Sequence, residues 1–263
     1  MSEAFRTLHE SGTFVIPNPW DIPSARLLEH LGFAALATTS SGFAATLGRG
    51  DQHVSRDELV RHVASLTAAV SIPVSVDAER GYATGAAGVA TTVRMLIEAG
   101  AAGVSIEDYD PDAQAVYPAG VAAERIAAAA AECDRHGVVL TGRAENHLYD
   151  AGGLDDTIAR LIAYREAGAT CLYAPGLSDL GDIAKVVRET GAPVNVLALR
   201  NGPSVPELAG AGVRRVSTGG SLAWAAYGAL VDAATELRDQ GTSTYLDRAL
   251  PRAVRDAAFP ADD

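Results

Sequence analysis

The sequence of 263 residues contains only two cysteines, Cys133 and Cys171, which are too few for a disulfide framework. It also lacks an excess of basic residues: 21 Lys and Arg stand against 33 Asp and Glu. The resulting net charge of −12 argues against nucleic acid or an anionic membrane as a partner. The N-terminus lacks a signal-peptide pattern, and no apolar run approaches the roughly 20 residues of a membrane span. These absences predict a soluble protein of the reducing cytoplasm.

Regularly spaced glycines reveal an internal repeat. Gly32, Gly100 and Gly168 are 68 residues apart, and each, like Gly212, lies between a helix-like segment and a short apolar run. This pattern is typical of a helix that ends in glycine and is followed by a buried strand. Together with the apolar runs between these units, the sequence predicts eight strands, in the segments TFVIPN, HLGFAALA, SIPVSVD, EAGAAGVSI, HGVVLTGR, EAGATCLYA, GAPVNVLA and GAGVRRVS.

Segments of helical periodicity separate the predicted strands, so the chain contains eight strand–helix units. This number of units in about 240 residues predicts an α/β fold of the (β/α)8 barrel type. A doubly wound sheet would need a phosphate-binding glycine fingerprint after an early strand, and the sequence has none. We therefore predict one barrel domain over residues 1–263, with a helical tail at about 242–263 that holds one extra short helix and a frayed acidic end. The predicted helices are Ile22–Leu31, Asp57–Ala69, Ala86–Ala99, Ala122–His136, Leu154–Ala167, Leu180–Glu189, Val205–Ala209 and Leu222–Leu237.

Two of the predicted strands end in acidic residues. One strand leads into Asp77 and Glu79, and the next leads into Glu107 and Asp108. Because the active site of a barrel lies at the carboxyl ends of its strands, we expect these carboxylates to face one mouth. Carboxylate oxygens are the ligands that Mg²⁺ prefers, and a cation would compensate their charge. The alternative is that each acid caps the following helix or pairs with a neighbouring arginine.

Two other strand ends carry candidate substrate contacts. Arg143 ends a strand, where its guanidinium can bind a carboxylate or a developing enolate oxygen. A structural ion pair with Glu145 is the alternative. The segment Thr39–Phe43 follows the second strand and is predicted to be a small polar turn. Its backbone N–H groups, including that of Ser40, are candidates to bind a substrate carboxylate, but an ordinary βα loop explains the segment equally well.

Four segments, taken together, resemble the isocitrate lyase and phosphoenolpyruvate mutase superfamily. They are NPWDIPSARLLEHLGFAALATTSSGFAATLGRGD, PVSVDAERGY, GAAGVSIEDY and TGRAEN. The resemblance extends from about Phe14 to Tyr227. It implies a (β/α)8 barrel that binds Mg²⁺ or Mn²⁺ and acts on 2-oxo acids, or on compounds cleaved to them, through a metal-bound enolate. It also implies a homo-oligomer, a dimer or a tetramer, whose subunits exchange a C-terminal helix.

The resemblance also implies roles for individual residues. Asp77 corresponds to the main metal-binding aspartate of the family. Glu79 and Glu107 correspond to acids that hold the metal directly or through water, and Asp51 corresponds to another acid near the metal. For the substrate, the resemblance implies contacts from the backbone of Ser41, Gly42 and Phe43 and from the side chains of Arg143 and Asn195.

The segment that starts at Glu107, EDYDPDAQAVYPAG, departs from the family pattern. It lacks the lysine, cysteine and histidine of the isocitrate and methylisocitrate lyases, and it lacks the lysine and asparagine of the mutases. Water, Tyr109 and Tyr117 are the candidate proton donors in their place. We therefore predict a Mg²⁺-dependent carbon–carbon lyase that decarboxylates or cleaves a small 2-oxo acid. A carbon–phosphorus bond enzyme and a non-catalytic barrel that binds an oxo acid are the alternatives.

Overall fold

A computed structural model describes residues 1–259 of the chain. In these residues, eight parallel strands form one sheet, and a hydrogen bond from the Ala37 N–H to the Pro17 carbonyl, at 3.0 Å, links its two ends. The predicted (β/α)8 barrel is therefore confirmed, with the barrel nearly closed. The strands are β1 (Phe14–Ile16), β2 (Leu36–Ala37), β3 (Val74–Asp77), β4 (Gly103–Glu107), β5 (Tyr109–Asp110), β6 (Ala115–Val116), β7 (Val139–Arg143), β8 (Cys171–Tyr173), β9 (Val194–Leu197) and β10 (Arg215–Ser217). The order around the barrel is β1-β10-β9-β8-β7-β4-β3-β2, and β5 pairs with β6 outside it.

All eight predicted helices are present, with bounds that differ from the prediction by at most three residues. The predicted glycine ends are confirmed as well, because Gly32, Gly100, Gly168 and Gly212 have φ angles from +84° to +104°. The helices of the described chain are α1 (Ser2–Thr7), α2 (Ile22–His30), α3 (Ser40–Thr46), α4 (Arg56–Ala69), α5 (Ala86–Glu98), α6 (Ala119–His136), α7 (Leu154–Glu166), α8 (Leu180–Thr190), α9 (Val205–Gly210), α10 (Ser221–Gln240) and α11 (Arg252–Ala258).

Helix α1, which the sequence did not predict, covers the barrel at the amino ends of the strands. Its Phe5 is fully buried in a cluster with Ala102, Val139 and Cys171. A Cβ atom at Gly103 would lie only 2.5 Å from the Phe5 ring, so glycine is required there for the helix to pack. A six-residue helix with one buried side chain has too little periodicity to be recognised in a sequence.

The C-terminal tail contains the predicted extra helix, α11, after a 3₁₀ turn at Thr244–Arg248. The predicted acidic end falls on residues 260–263, which lie outside the described residues.

Between residues 1 and 259, no helix has both the length and the apolar character that crossing a membrane would require. Cys133 and Cys171 are both buried as free thiols.

Candidate functional site

Three neighbouring strands bring their last residues together at one mouth of the barrel. Asp77 ends β3, Glu107 ends β4 and Arg143 ends β7. The register places Glu107 directly beside Arg143. Since the strands are parallel and adjacent, the structure confirms that these side chains share one end of the sheet.

The guanidinium of Arg143 lies among three carboxylates. Its Nη1 is 3.3 Å from Glu107 Oε2 and 3.7 Å from Asp77 Oδ1, and its Nε donates a hydrogen bond to Glu145. Burial opposes the charge of Arg143, but Glu145, Glu107 and Asp77 outweigh burial and raise its pKa well above the ordinary value. The alternative reading from the sequence, an ion pair with Glu145, is therefore present together with the pairs to the strand-end acids.

The carboxylates at the mouth outnumber this one guanidinium. Burial raises the pKa of Glu107 well above its usual range, with Arg143 acting in the opposite direction. Burial also raises the pKa of Glu79 to about 8, opposed by a hydrogen bond from the Tyr82 hydroxyl and reinforced by Asp77. A cation bound beside these carboxylates would favour their ionised forms and offset the effect of burial.

Asp51 and Gln52 extend this acidic cluster from the loop before α4. Although Asp51 as a residue is exposed, desolvation of its carboxyl, followed by the charge of Asp77, raises its pKa. Gln52 donates a hydrogen bond of 3.0 Å to Glu107 Oε1, while its own buried Oε1 has no hydrogen-bond partner in the described chain. The amide oxygen of Gln52 is therefore available as a metal ligand in addition to the carboxylate oxygens of the cluster.

The donor set fits a hard divalent cation. Mg²⁺ takes oxygen ligands and is commonly held by one or two carboxylates with several waters, and Asp77 and Glu107 are such a pair. Between residues 1 and 259, no three His, Cys, Asp or Glu side chains are grouped closely enough to bind an ion as they stand. Arg143 instead contacts both Asp77 and Glu107.

Backbone strain also marks the mouth. Gln52, Glu79 and Tyr82 have φ angles of +65°, +46° and +53°, in the left-handed region that favours glycine. Such conformations are retained where surrounding contacts hold them, and they cluster at functional sites. Here the Glu79 carbonyl accepts a hydrogen bond of 2.9 Å from the Glu107 N–H, which connects the strained segment to β4.

The predicted turn at Thr39–Phe43 is wrong, because residues 40–46 form helix α3 with Thr39 as its N-cap. The small residues of this segment give no hydrophobic periodicity from which a helix could be predicted. Three backbone N–H groups of the segment already have acceptors within the chain. Ser40 donates to Asp77 Oδ2 at 3.2 Å, Gly42 donates to Thr39 Oγ1 at 3.3 Å, and Phe43 donates to the Thr39 carbonyl at 3.0 Å. The Ser41 hydroxyl lies 3.3 Å from Thr39 Oγ1.

Phe43 stacks on the ring of His62, with 3.8 Å between the ring centroids. Burial lowers the pKa of His62 to about 4, and Asp21 acts in the opposite direction. Below its ordinary pKa of 6.5, the unfolded chain therefore binds a proton that the folded chain excludes.

We expect acid to destabilise the protein through His62, beginning as the pH falls below about 6.5 and continuing to about 4. The upper bound of the slope is about 1.4 kcal/mol per pH unit. His62→Phe keeps an aromatic ring against Phe43 and removes the titrating group, so its free energy of unfolding should fall less steeply over this range. Urea denaturation at pH 7.5, 6 and 5 measures both slopes, and equal slopes would contradict the prediction.

Asn195 lies deeper in the barrel than the carboxylate cluster. Its Nδ2 donates to Ser217 Oγ, and its Oδ1 accepts from Arg215 Nε, both at 2.9 Å. Together with Asp77 and Arg143, these residues line an internal cavity of about 60 Å³. The structure therefore brings Asn195 to the same cavity as the predicted metal and substrate residues.

Tyr109 is the first residue of β5, and Tyr117 directly follows β6, so both lie at the base of the hairpin that β5 and β6 form. Tyr109 stacks on Tyr149, with 3.9 Å between the ring centroids. The Tyr117 hydroxyl accepts a hydrogen bond from Arg80 at 3.4 Å, and the guanidinium of Arg125 lies 4.7 Å from the centre of its ring. Tyr117 is thus held within the hairpin contacts, whereas Tyr109 contacts the loop after β7.

The hairpin is held by the segment that follows the Asp77 strand. Arg80 pairs with Asp110 at 2.5 Å and with Asp112 at 2.6 Å. Asp108 closes the base of the hairpin, because its backbone carbonyl accepts from the Tyr117 N–H at 2.7 Å. Neither the hairpin nor these pairs were predicted, since two-residue strands leave no periodic signal.

Asp108, which directly follows Glu107 at the end of β4, is held by contacts within the protein. Its carboxylate accepts hydrogen bonds from the Tyr164 hydroxyl at 2.5 Å, from Arg160 at 3.0 Å and from the Glu145 N–H at 2.7 Å. Because Glu145 binds Arg143, Asp108 fixes the position of the loop that orients this arginine.

Sequence reasoning missed Gln52, whose only signal is its place beside Asp51.

A (β/α)8 barrel with buried carboxylates and an arginine at the carboxyl ends of its strands has the architecture of a barrel enzyme. The chain belongs to the phosphoenolpyruvate phosphomutase family, whose sequence profile matches residues 5–238. This match confirms the resemblance to the phosphoenolpyruvate mutase and isocitrate lyase superfamily, which comprises lyases and mutases.

Three similar proteins illustrate the family. A Burkholderia cenocepacia J2315 protein of known crystal structure, assigned only provisionally as a lyase or mutase, is 49% identical, with a TM-score of 0.94 over 98% of this chain and 96% of that chain. An uncharacterised protein of Mycobacterium tuberculosis H37Rv is 32% identical over 95% of this chain and 93% of its own length. An oxaloacetate decarboxylase of Bradyrhizobium diazoefficiens is 30% identical over 90% of this chain and 87% of its own length.

Proposed function

We propose that this protein is a carbon–carbon lyase, dependent on Mg²⁺ or Mn²⁺, that decarboxylates or cleaves a small 2-oxo acid. The observation that carries the proposal is the cluster at the mouth in which Asp77, Glu107 and Glu145 share one guanidinium, that of Arg143. Glu79, Glu107 and Glu145 are buried. Burial raises the pKa values of Glu79 and Glu107, so a cation bound beside them would favour their ionised forms. Similarity to an oxaloacetate decarboxylase supports the type of substrate.

In this proposal, Asp77 and Glu107 hold the cation, and Glu79 and Asp51 hold it directly or through water. The cation supplies a Lewis acid that stabilises negative charge developing on the 2-oxo oxygen. Arg143 supplies a second positive contact to the same charge. Ser41, within the Ser40–Phe43 segment, and Asn195 complete the substrate contacts, whereas Ser40 positions Asp77 through its backbone hydrogen bond.

Protonation of the product carbon needs a donor at the mouth. We propose water, Tyr109 or Tyr117 for this role. The stacking of Tyr109 on Tyr149 supports Tyr109 more than Tyr117, because Tyr149 lies near the acidic cluster. Burial raises the pKa of Tyr149 to about 12, and the charges of Glu145 and Glu107 add to the rise. The hydroxyl of Tyr117 is already bound by Arg80.

The direct test is turnover of the purified protein with oxaloacetate and with substituted malate and citrate analogues. Pyruvate or glyoxylate release in the presence of Mg²⁺, above a protein-free control with the same Mg²⁺, is the expected result. The Asp77→Asn variant serves as the matched protein control. Equal activity with excess EDTA and with Mg²⁺ would contradict the metal-dependent proposal.

A second candidate function is favoured by the family match itself, because the matching profile is that of a phosphomutase. In that case the protein would form or break a carbon–phosphorus bond. Incubation with phosphonopyruvate, followed by ³¹P NMR, distinguishes the two. A new phosphate or phosphate-ester signal would favour the carbon–phosphorus enzyme, and an unchanged phosphonate signal would favour the lyase.

We also propose that the protein is a homo-oligomer, a dimer or tetramer, in the reducing cytoplasm. In the 20-residue helix α10, Ala223 is the one buried residue, whereas Trp224, Leu230, Val231 and Leu237 are more than half exposed. A contiguous apolar surface of this kind is typical of a protein interface.

Leu230→Glu should therefore weaken self-association, because a charge would enter the buried interface. Light scattering coupled to size exclusion should show a shift toward the mass of a single chain. Leu31→Glu is the matched control, since Leu31 and Leu230 are 66% and 64% exposed and Leu31 lies outside α10. An unchanged mass for Leu230→Glu, or the same shift for both variants, would contradict this role of α10.

A further inference from the structure

Arg215 is a buried cation inside the barrel that the proposed function does not use. It is the first residue of β10 and is only 5% exposed. Its guanidinium donates to Asn195 Oδ1 and to Thr141 Oγ1, both at 2.9 Å, and its Nη1 lies 3.4 Å from His9 Nε2. All three are neutral acceptors, and no carboxylate in residues 1–259 lies within 4.0 Å of it.

His9 does not compensate this charge. Its Nδ1 lies 2.8 Å from the Phe5 carbonyl, so this nitrogen carries the ring proton and Nε2 is the acceptor that faces Arg215. Burial and the charge of Arg215 lower the pKa of His9 to about 3, which keeps the ring neutral. A buried charge without an opposite charge is strongly unfavourable, and natural proteins normally pair it.

The space next to Arg215 is suited to a small anion. Arg215 lines the internal cavity of about 60 Å³ that reaches up to Arg143 and Asp77. A cavity needs only about 10–15 Å³ to hold one water molecule, so this one has room for a carboxylate or a halide. Hydroxyl groups, which donate hydrogen bonds to anions, line it from four strand segments: Thr38, Ser75, Ser105 and Ser217.

The cavity is also polarised along its length. Asp77 is the last residue of β3, whereas Arg215 is the first residue of β10, so the negative and positive groups lie at different depths of the barrel. An anion near Arg215 therefore lies away from the acidic cluster at the mouth. Arg143, at the upper end, is already occupied by Asp77, Glu107 and Glu145.

We propose that Arg215, with the hydroxyl-lined cavity beneath the mouth, forms a binding site for a small monovalent anion of carboxylate size. Two sources have this chemistry. One is the second carboxylate of a dicarboxylic substrate whose other end is held at the mouth, and this source rests on the proposed function. The other is a free anion, such as a halide or formate, and it is independent of that function.

Thermal unfolding in sodium formate and sodium bromide tests the site, with sodium gluconate at equal ionic strength as the control for a larger anion. At about ten times the Kd, formate or bromide should raise the Tm of the wild-type protein by about 3 °C. Arg215→Gln, which keeps hydrogen-bonding groups near Asn195 and Thr141, should lose this increase. A shift no larger than that in gluconate, or the same shift in the variant, would overturn the proposal.

Bromide-soaked crystals of the wild-type protein give a second readout that does not depend on a variant folding. An anomalous peak in the cavity beside Arg215 is expected, and bromide sites confined to the outer surface would overturn the proposal. Malate and lactate, which differ by one carboxylate, distinguish the two sources. Saturating formate should weaken malate binding but not lactate binding if the substrate supplies the anion, and should weaken neither if the anion is free.

Discussion

Replacing Asp77 by asparagine should lower kcat/KM by at least about 100-fold, the scale expected when a group that stabilises transition-state charge is lost. Asp77 ends β3, lies 3.7 Å from Arg143 and accepts a hydrogen bond from the Ser40 N–H. Asparagine keeps the size of the side chain and one oxygen, but it removes the charge that a divalent cation requires. Steady-state kinetics over a range of Mg²⁺ concentrations measure the effect.

The fold should survive this substitution, because Arg143 retains its pairs with Glu107 and Glu145. Asp57→Asn, on the exposed side of α4, is the matched control and should leave kcat/KM unchanged. If Asp77→Asn retained wild-type kcat/KM at every Mg²⁺ concentration, Asp77 would have no part in the chemistry.

Replacing Arg143 by methionine should destabilise the protein by about 3 kcal/mol and abolish turnover. Methionine has a similar length but no charge, so Glu107 and Glu145, which are buried, would lose the cation that opposes their rise in pKa. The loss of stability should be larger at pH 8 than at pH 5.5. An acid whose pKa is raised by folding keeps its proton to a higher pH in the folded state than in the unfolded state. Its deprotonation therefore destabilises the fold as the pH rises.

Chemical denaturation at the two pH values checks this prediction. Arg252→Met, which removes an exposed arginine that pairs with Asp256, is the control and should show little change at either pH. A similar, pH-independent loss for both variants would show that Arg143 does not compensate the buried acids.

The barrel was predictable because its signals repeat. Four units place a left-handed glycine, such as Gly100, between a helix and an apolar strand. All eight strands alternate with helical segments, so these individually weak signals support one another. The strand-end positions of Asp77, Glu107 and Arg143 followed from the same pattern, since a parallel barrel gathers the carboxyl ends of its strands at one mouth.

The contacts that control the site were not predictable in this way. Gln52 and Glu107 are 55 residues apart in the chain, and Arg80 and Asp110 are 30 apart, so only the folded structure brings each pair together. The segment 40–46 has no charged residue and no regular apolar face, and its helix depends on the Thr39 cap. Arg215 lies within a short apolar strand, where its burial contradicts ordinary patterning.

Calorimetric titration with oxalate tests the central claim most directly, because oxalate presents two adjacent oxygens like those of a 2-oxo acid and is not turned over. We predict that oxalate binds the wild-type protein in Mg²⁺, and that binding is lost in EDTA and in Asp77→Asn. Binding of the same affinity with Mg²⁺ and with EDTA would contradict a metal site formed by Asp77 and Glu107.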